Sequence, residues 1–116
     1  MPGLSLLTVS TVRLDDPGPL LDLLPDGSAL AWVQGGEGLV GWGEAARLEL
    51  SGPDRWAEAQ AWWAELVASA QVSDAVRLPG SGLVAFGSFA FDPRAGSSGL
   101  GVPQVVVGHR DGTWWA

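Results

Sequence analysis

Only one long stretch of this chain carries a helical repeat of apolar residues, and it lies between runs that alternate like strands. Between residues 51 and 70, Trp56, Ala59, Trp63, Leu66, Val67 and Ala70 recur at intervals that place them on one stripe of an α-helix. Glu58 and Glu65 fall off that stripe. Ser51, with Asp54 three residues on, reads as the N-cap, and Pro53 suits the first turn. The spacing therefore predicts a helix over residues 53–70. One helix covers one face of one sheet, so the remaining apolar residues must pack as sheet. The expected class is α+β: a mainly antiparallel sheet of about five or six strands with the helix across a face.

The strands themselves come from period-two runs. Residues 5–14, rich in β-branched Thr8, Val9, Thr11 and Val12, read as the first, broken by Asp15-Asp16-Pro17-Gly18-Pro19. Leu20-Leu21-Asp22-Leu23-Leu24, between Pro19 and Pro25, reads as a turn or a single helical coil. Residues 28–34 form a second strand, and Gly35-Gly36-Glu37-Gly38 turns it back into a third over residues 39–50. In that third strand Val40, Trp42, Ala46, Leu48 and Leu50 share a face, opposite Arg47 and Glu49. Glu44 falls on the apolar side. A bulge near Gly41 or Gly43 turns it out, or it is a buried, paired carboxylate; the bulge is favoured.

Beyond the helix, residues 83–91 are apolar on both faces, the pattern of a central strand buried on two sides. Residues 92–99 read as a loop of small residues. Residues 100–108 form another strand, in which Pro103 marks an edge or bulge. His109-Arg110-Asp111-Gly112 reads as a hairpin turn, and Thr113-Trp114-Trp115-Ala116 as the start of a returning strand. A strand stopping at its fourth residue has the look of a cut, so residues 1–116 read as one domain of something longer.

Composition narrows the function classes. The chain has 116 residues, a net charge of −7, six Arg, no Lys and no Cys. Clustered cations for phosphate are missing, so nucleic acid is not an expected partner, and an acidic surface disfavours anionic lipid. No apolar run reaches the ~18 residues needed to span a bilayer, and Met1-Pro2-Gly3 lacks a signal peptide's basic end. A soluble, cytoplasmic protein with no membrane partner is expected. Without Cys there is no disulfide framework or thiolate metal site. Without Lys there is no Schiff base and no lysine base.

No catalytic, cofactor or metal site emerges from the motifs. Gly41-Trp42-Gly43-Glu44-Ala45-Ala46 fits the loose dinucleotide pattern G-x-G-x-x-A, which needs a strand before it and a helix opening on it; here a strand runs straight through. His109 is the only imidazole, and its place at a hairpin end makes it a solvated turn residue rather than part of a Ser-His-Asp site. Asp15, Asp16 and Asp92 lack regular ligand spacing for Mg²⁺ or Ca²⁺ and read as turn residues. Of the Trp62-Trp63 pair, Trp63 reads as core and Trp62 as interfacial.

Gly38-Leu39-Val40-Gly41-Trp42-Gly43-Glu44-Ala45-Ala46-Arg47, followed by Gly52-Pro53-Asp54-Arg55-Trp56, resembles the amino-terminal region of bacterial isochorismate synthases. Gly82-Leu83-Val84-Ala85-Phe86-Gly87-Ser88-Phe89-Ala90-Phe91-Asp92, Val102-Pro103 and Gly108-His109-Arg110-Asp111-Gly112-Thr113-Trp114 continue the likeness in the same order. It is weakest before Gly27. These segments are structural, and anthranilate, aminodeoxychorismate and salicylate synthases share the layout. The resemblance implies membership of a much longer α/β enzyme with packed sheets and outer helices. It implies Mg²⁺-dependent replacement of the 4-hydroxyl of chorismate by water at C2, with a lysine activating the water and glutamates serving as acid and metal ligands. In the family pattern those groups lie beyond this chain, which has no lysine to offer. The expected role is structural and non-catalytic, with the rest of the parent enzyme as partner and a homodimer of the isolated domain as a further expectation. The rival reading is a free-standing Trp-rich binding or scaffold module.

Overall fold

The computed structural model describes residues 7–25, 29–88 and 98–116. Within them the α+β architecture holds, with three sheets and one long helix. Strands β1 (Thr8–Thr11) and β2 (Arg13–Leu14) come first, then a short 3-10 turn at Leu20–Leu23. They are followed by β3 (Ala29–Gln34), β4 (Glu37–Trp42), β5 (Ala46–Leu50), α1 (Arg55–Ser69) and β6 (Gln71–Asp74). Next are β7 (Phe86–Ser88), β8 (Ser98–Val102), β9 (Val105–Arg110) and β10 (Thr113–Trp115). The main antiparallel sheet has the order β2-β10-β9-β4-β3, a second has the order β5-β8-β7, and β1 pairs with β6 in parallel.

These strands outnumber the expected five or six because the long strands read from the sequence are each shared between two sheets. The run 39–50 breaks after Trp42, and its partner 100–108 breaks at Pro103-Gln104 directly across from it. β4 pairs with β9 in the main sheet, and β5 pairs with β8 in the second. The two runs are thus one antiparallel ribbon, bent in the middle. Pro103 has no N–H to keep the ladder going, and Gly43 takes a φ of 72° at the bend. The ladder resumes where the Ala45 N–H donates to the Val102 carbonyl at 2.7 Å. Residues 8–14 divide in the same way: β1 joins β6 while β2 joins β10. Between them Val12 exchanges both main-chain hydrogen bonds with Ala116, at 2.9 and 3.0 Å.

Two tight hairpins define the end of the main sheet. Gly35 and Gly36 have φ of 62° and 81°, and Asp111 and Gly112 have 49° and 74°. Positive φ at both central residues is the two-residue turn whose twist matches that of its strands. The turn is therefore Asp111-Gly112 alone, and His109 and Arg110 belong to β9.

One face of the main sheet carries a core of Val40 and Val107 under Leu20 from the 3-10 turn, flanked by Val33, Trp42 and Trp114. On the other face Trp115, only 2% exposed, lies over Gly108, its cross-strand partner. A Cβ at position 108 would fall within 3.0 Å of the indole, so the close approach needs glycine there.

The helix corrects two expectations. It begins at Arg55, after a turn through Gly52 at φ 87°, so Asp54 occupies the N-cap position and makes no side-chain cap bond there. Ser51 is exposed and lies outside the helix. The buried face is Arg55, Ala59 and Leu66, with Trp62 and Trp63 half-buried, while Trp56 and Val67 face solvent. Trp63 is thus not a full core residue. The helix packs on β5 and β8, and this narrow sheet covers a narrower stripe than the sequence offers. Arg55 joins the buried face because its stem is apolar and its guanidinium reaches the Gly52 carbonyl at 3.1 Å.

Of residues 83–91, only β7 is strand among the described residues, and it lies at an edge of the second sheet rather than at a centre. Phe89 and Phe91 lie outside the described residues. β6 has no counterpart in the sequence pattern, since Gln71-Val72-Ser73-Asp74 does not alternate. Backbone pairing alone makes it a strand: Gln71 N–H donates to Leu7 at 2.8 Å and Ala75 N–H to Thr11 at 3.0 Å.

Candidate functional site

One polar arrangement lies where the two hairpin turns meet, because β4 and β9 are neighbours. His109 stands on β9 opposite Trp114 of β10, and the rings stack at 3.8 Å between centroids and 4° between planes. Its Nδ1 is 2.9 Å from the Gly36 carbonyl of the other turn. A carbonyl only accepts, so Nδ1 carries the proton in this contact. Asp111 N–H donates to Glu37 Oε2 at 2.7 Å, a second tie between the turns. His109 is therefore a half-buried stacking and bridging residue, not the solvated turn residue its position in the sequence implies. Beside it, on the face that holds Trp115, a cleft of about 390 Å³ is lined by Trp32, Glu37, Leu39, Arg110 and Asp111. A second cleft, of about 290 Å³, runs between β1 and the bend at Pro103-Gln104. Trp115 forms a wall of both, and its buried Nε1 has no hydrogen-bond partner among the described residues.

A second cluster, which the sequence reading passes over, surrounds Asp74. Its Oδ1 accepts from Val76 N–H at 2.9 Å and Arg77 N–H at 3.0 Å, and its Oδ2 accepts from Ser81 Oγ at 2.6 Å. Ser81 Oγ in turn accepts from Leu78 N–H at 2.9 Å. Burial by itself would raise the carboxyl's pKa. The bonds from Ser81, Arg77 and Val76, with the Arg77 charge, outweigh it and hold Asp74 below the ordinary value of 3.8. Gly82 N–H donates to Thr11 Oγ1 at 3.2 Å, which fastens the same loop to β1. The Asp-x-Val-Arg pattern at 74–77 carries the signal, since an Asp followed by a turn captures N–H groups two and three residues on. The cluster is a loop staple; its serine and carboxylate bond to each other, while His109 bonds to Gly36.

The remaining candidates resolve simply. Glu44 is exposed at the break between β4 and β5 and pairs with Arg47 at 3.5 Å, so it is turned out, by a change of sheet rather than a bulge. Asp16 Oδ1 accepts from Gly18 N–H at 2.8 Å in an exposed turn, as expected. Asp92 lies outside the described residues. No helix opens at the Gly41–Ala46 pattern: the strand ends at Trp42, and β5 begins at Ala46. Among the described residues no three His, Asp or Glu side chains gather to hold a metal ion. Among them, too, no helix is long and apolar enough to cross a membrane.

The comparisons with known proteins assign what the site chemistry does not. The family model described as chorismate binding enzyme matches residues 28–106, from the start of the β3–β4 hairpin into β9. The match covers more than half of the chain, and the protein belongs to the chorismate-binding enzyme family. No curated protein matches the chain, and no solved structure does.

Proposed function

We propose that this chain is the amino-terminal, structural part of a chorismate-utilising enzyme, specifically an isochorismate synthase, and does not turn over substrate by itself. The carrying observation is the family match over residues 28–106 in a chain that contains no lysine. A base that activates water must be deprotonatable near neutral pH. Arginine, with a pKa above about 12, does not supply that function. The matched segment holds structural elements: the bent ribbon, the helix laid on it and the β3–β4 hairpin. On this reading the chain builds one layer of the synthase, and Mg²⁺ and the acid–base groups are supplied elsewhere in the polypeptide.

Two measurements test the proposal. The coding sequence after Ala116 is expected to continue in frame into a segment bearing lysine and glutamates, and a stop codon there would favour the free-standing Trp-rich module. In a coupled assay with chorismate and Mg²⁺, the purified 116-residue chain is expected to show no isochorismate formation. Turnover that copurifies with it would sink the structural reading.

A further inference from the structure

We infer that the free edge of β3 is a self-association surface, through which two copies of this chain join their main sheets into one. The edges of the sheets are not alike among the described residues. β2 is two residues long, carries Arg13 and runs into Asp15-Asp16-Pro17, and β7 has three residues. β5 displays Arg47 and Glu49, bonded to each other at 3.1 Å. Short length, charge and proline are the usual protections of an edge. β3 has none of them. Its six residues, Ala29 to Gln34, include no charge and no proline, and Trp32 is 71% exposed and Leu30 38%.

The backbone pattern makes this edge complementary to itself. Gln34 and Glu37 flank a two-residue turn, so that pair exchanges both main-chain hydrogen bonds, and the alternation assigns Trp32 and Leu30 to β4 as well. The N–H and C=O groups of Ala29, Ala31 and Val33 therefore point to the open side. An antiparallel pairing about a two-fold axis at Ala31 matches every one of them: Ala31 with Ala31 of the other copy, and Ala29 with Val33 in both directions. That makes about six main-chain hydrogen bonds. The same register sets Leu30 against Trp32 of the other copy twice, at close-spaced positions on the face where Trp32 is exposed. The occupant is a second copy because an uncharged edge offers a basic or acidic partner nothing to match. The −7 net charge, screened beyond about 8 Å, resides outside this strand. The interface is small, so the dimer is expected with a Kd on the order of micromolar.

Sedimentation of the 116-residue chain between about 1 and 100 μM reads the outcome. A monomer–dimer equilibrium is expected, and a strict monomer over that range overturns the proposal. Ala31→Pro removes an outward N–H without touching the β3–β4 ladder, and Trp32→Lys puts a charge on an exposed position. Each is expected to weaken association at least tenfold with an unchanged far-UV spectrum. If Ala31→Pro fails to fold, Trp32→Lys decides alone. A dimer that survives Trp32→Lys, or is lost instead in Trp56→Lys on the helix, overturns the β3 assignment. Because the chain has no cysteine, Ala31→Cys supplies a single thiol. A short bismaleimide should link it across the axis and should leave Val67→Cys, 49% exposed on the helix, which packs on β5 and β8, unlinked. Equal linking of both refutes the register.

Discussion

Replacing Gly108 by alanine tests the packing of Trp115 with a single methyl group. The φ of Gly108 is not in the left-handed region, so the backbone tolerates alanine, and the cost is purely steric. The new Cβ would lie within 3.0 Å of Cε2, Cζ2 and Nε1 of Trp115, whereas ordinary contacts begin at 3.4 Å. The indole must retreat by on the order of an ångström, and overpacking of that kind costs about 1–3 kcal/mol. Complete expulsion of the ring sets the ceiling at about 3–5 kcal/mol, the cost of losing a buried tryptophan. Because both clefts border Trp115, the ring has room to swing and the cost should stay below that ceiling, near 2–3 kcal/mol. In urea this moves the midpoint down by about 1 M, followed by far-UV circular dichroism because seven tryptophans blur fluorescence. Gly101→Ala in β8 is the matched control: its Cβ meets nothing within 4 Å, and the change should be neutral or stabilise by up to about 1 kcal/mol. In a Trp115→Leu background the penalty at position 108 should shrink by at least about 1 kcal/mol. If Gly108→Ala and Gly101→Ala behave alike, the indole does not rest on Gly108 and the account of this face is wrong.

The helix face is checked by a pair of variants: Leu66→Ala should cost about 2–5 kcal/mol and Trp56→Ala well under half as much, since Leu66 is 0% and Trp56 52% exposed. Equal losses in denaturant titration would restore the stripe read from the sequence. Ser51→Ala should change stability by less than about 0.5 kcal/mol, because Ser51 is exposed and outside the helix; a loss near 1 kcal/mol would make it the cap after all. Asp74→Asn should destabilise at pH 7 by about 1–3 kcal/mol through its loop hydrogen bonds. The folded-state pKa of Asp74 is lowered, so its contribution is present above the unfolded value and is lost as pH falls through the folded one. The gap between wild type and Asp74→Asn should therefore close at pH values below about 4, and a gap independent of pH would refute the charge-assisted staple.

Local chemistry marked the parts of this protein that need no distant partner. Gly-Gly and Asp-Gly pairs between alternating runs favour tight turns, so hairpins within residues 35–38 and 109–112 were legible, though not that His109 and Arg110 belong to the strand. The repeat around Ala59 and Leu66 required a helix whatever it packed on. Alternation around Val40 and Leu48 required strands, and together these imply an α+β domain. The likeness to the family was likewise readable in the segments from Gly38 to Pro103, which lie within the matched residues 28–106. Tertiary structure decided everything that depends on what lies opposite. Periodicity names an apolar stripe but not its width, so only the narrow β5–β8 surface determined that Trp56 stays wet and Arg55 goes in. Alternation continues across Gly43 and Pro103 because side chains still take turns in and out. The change of sheet follows from both strands of the ribbon yielding at the same height. β6 is a strand because the N–H and C=O groups of β1 need partners, a demand written nowhere in residues 71–74. His109 became a stacked, bridging residue rather than a solvated one because Trp114 reaches it from β10 and Gly36 from the β3–β4 turn. Hydrogen bonds between residues more than seventy positions apart leave no trace in local spacing, and here they tie the two turns of the site together.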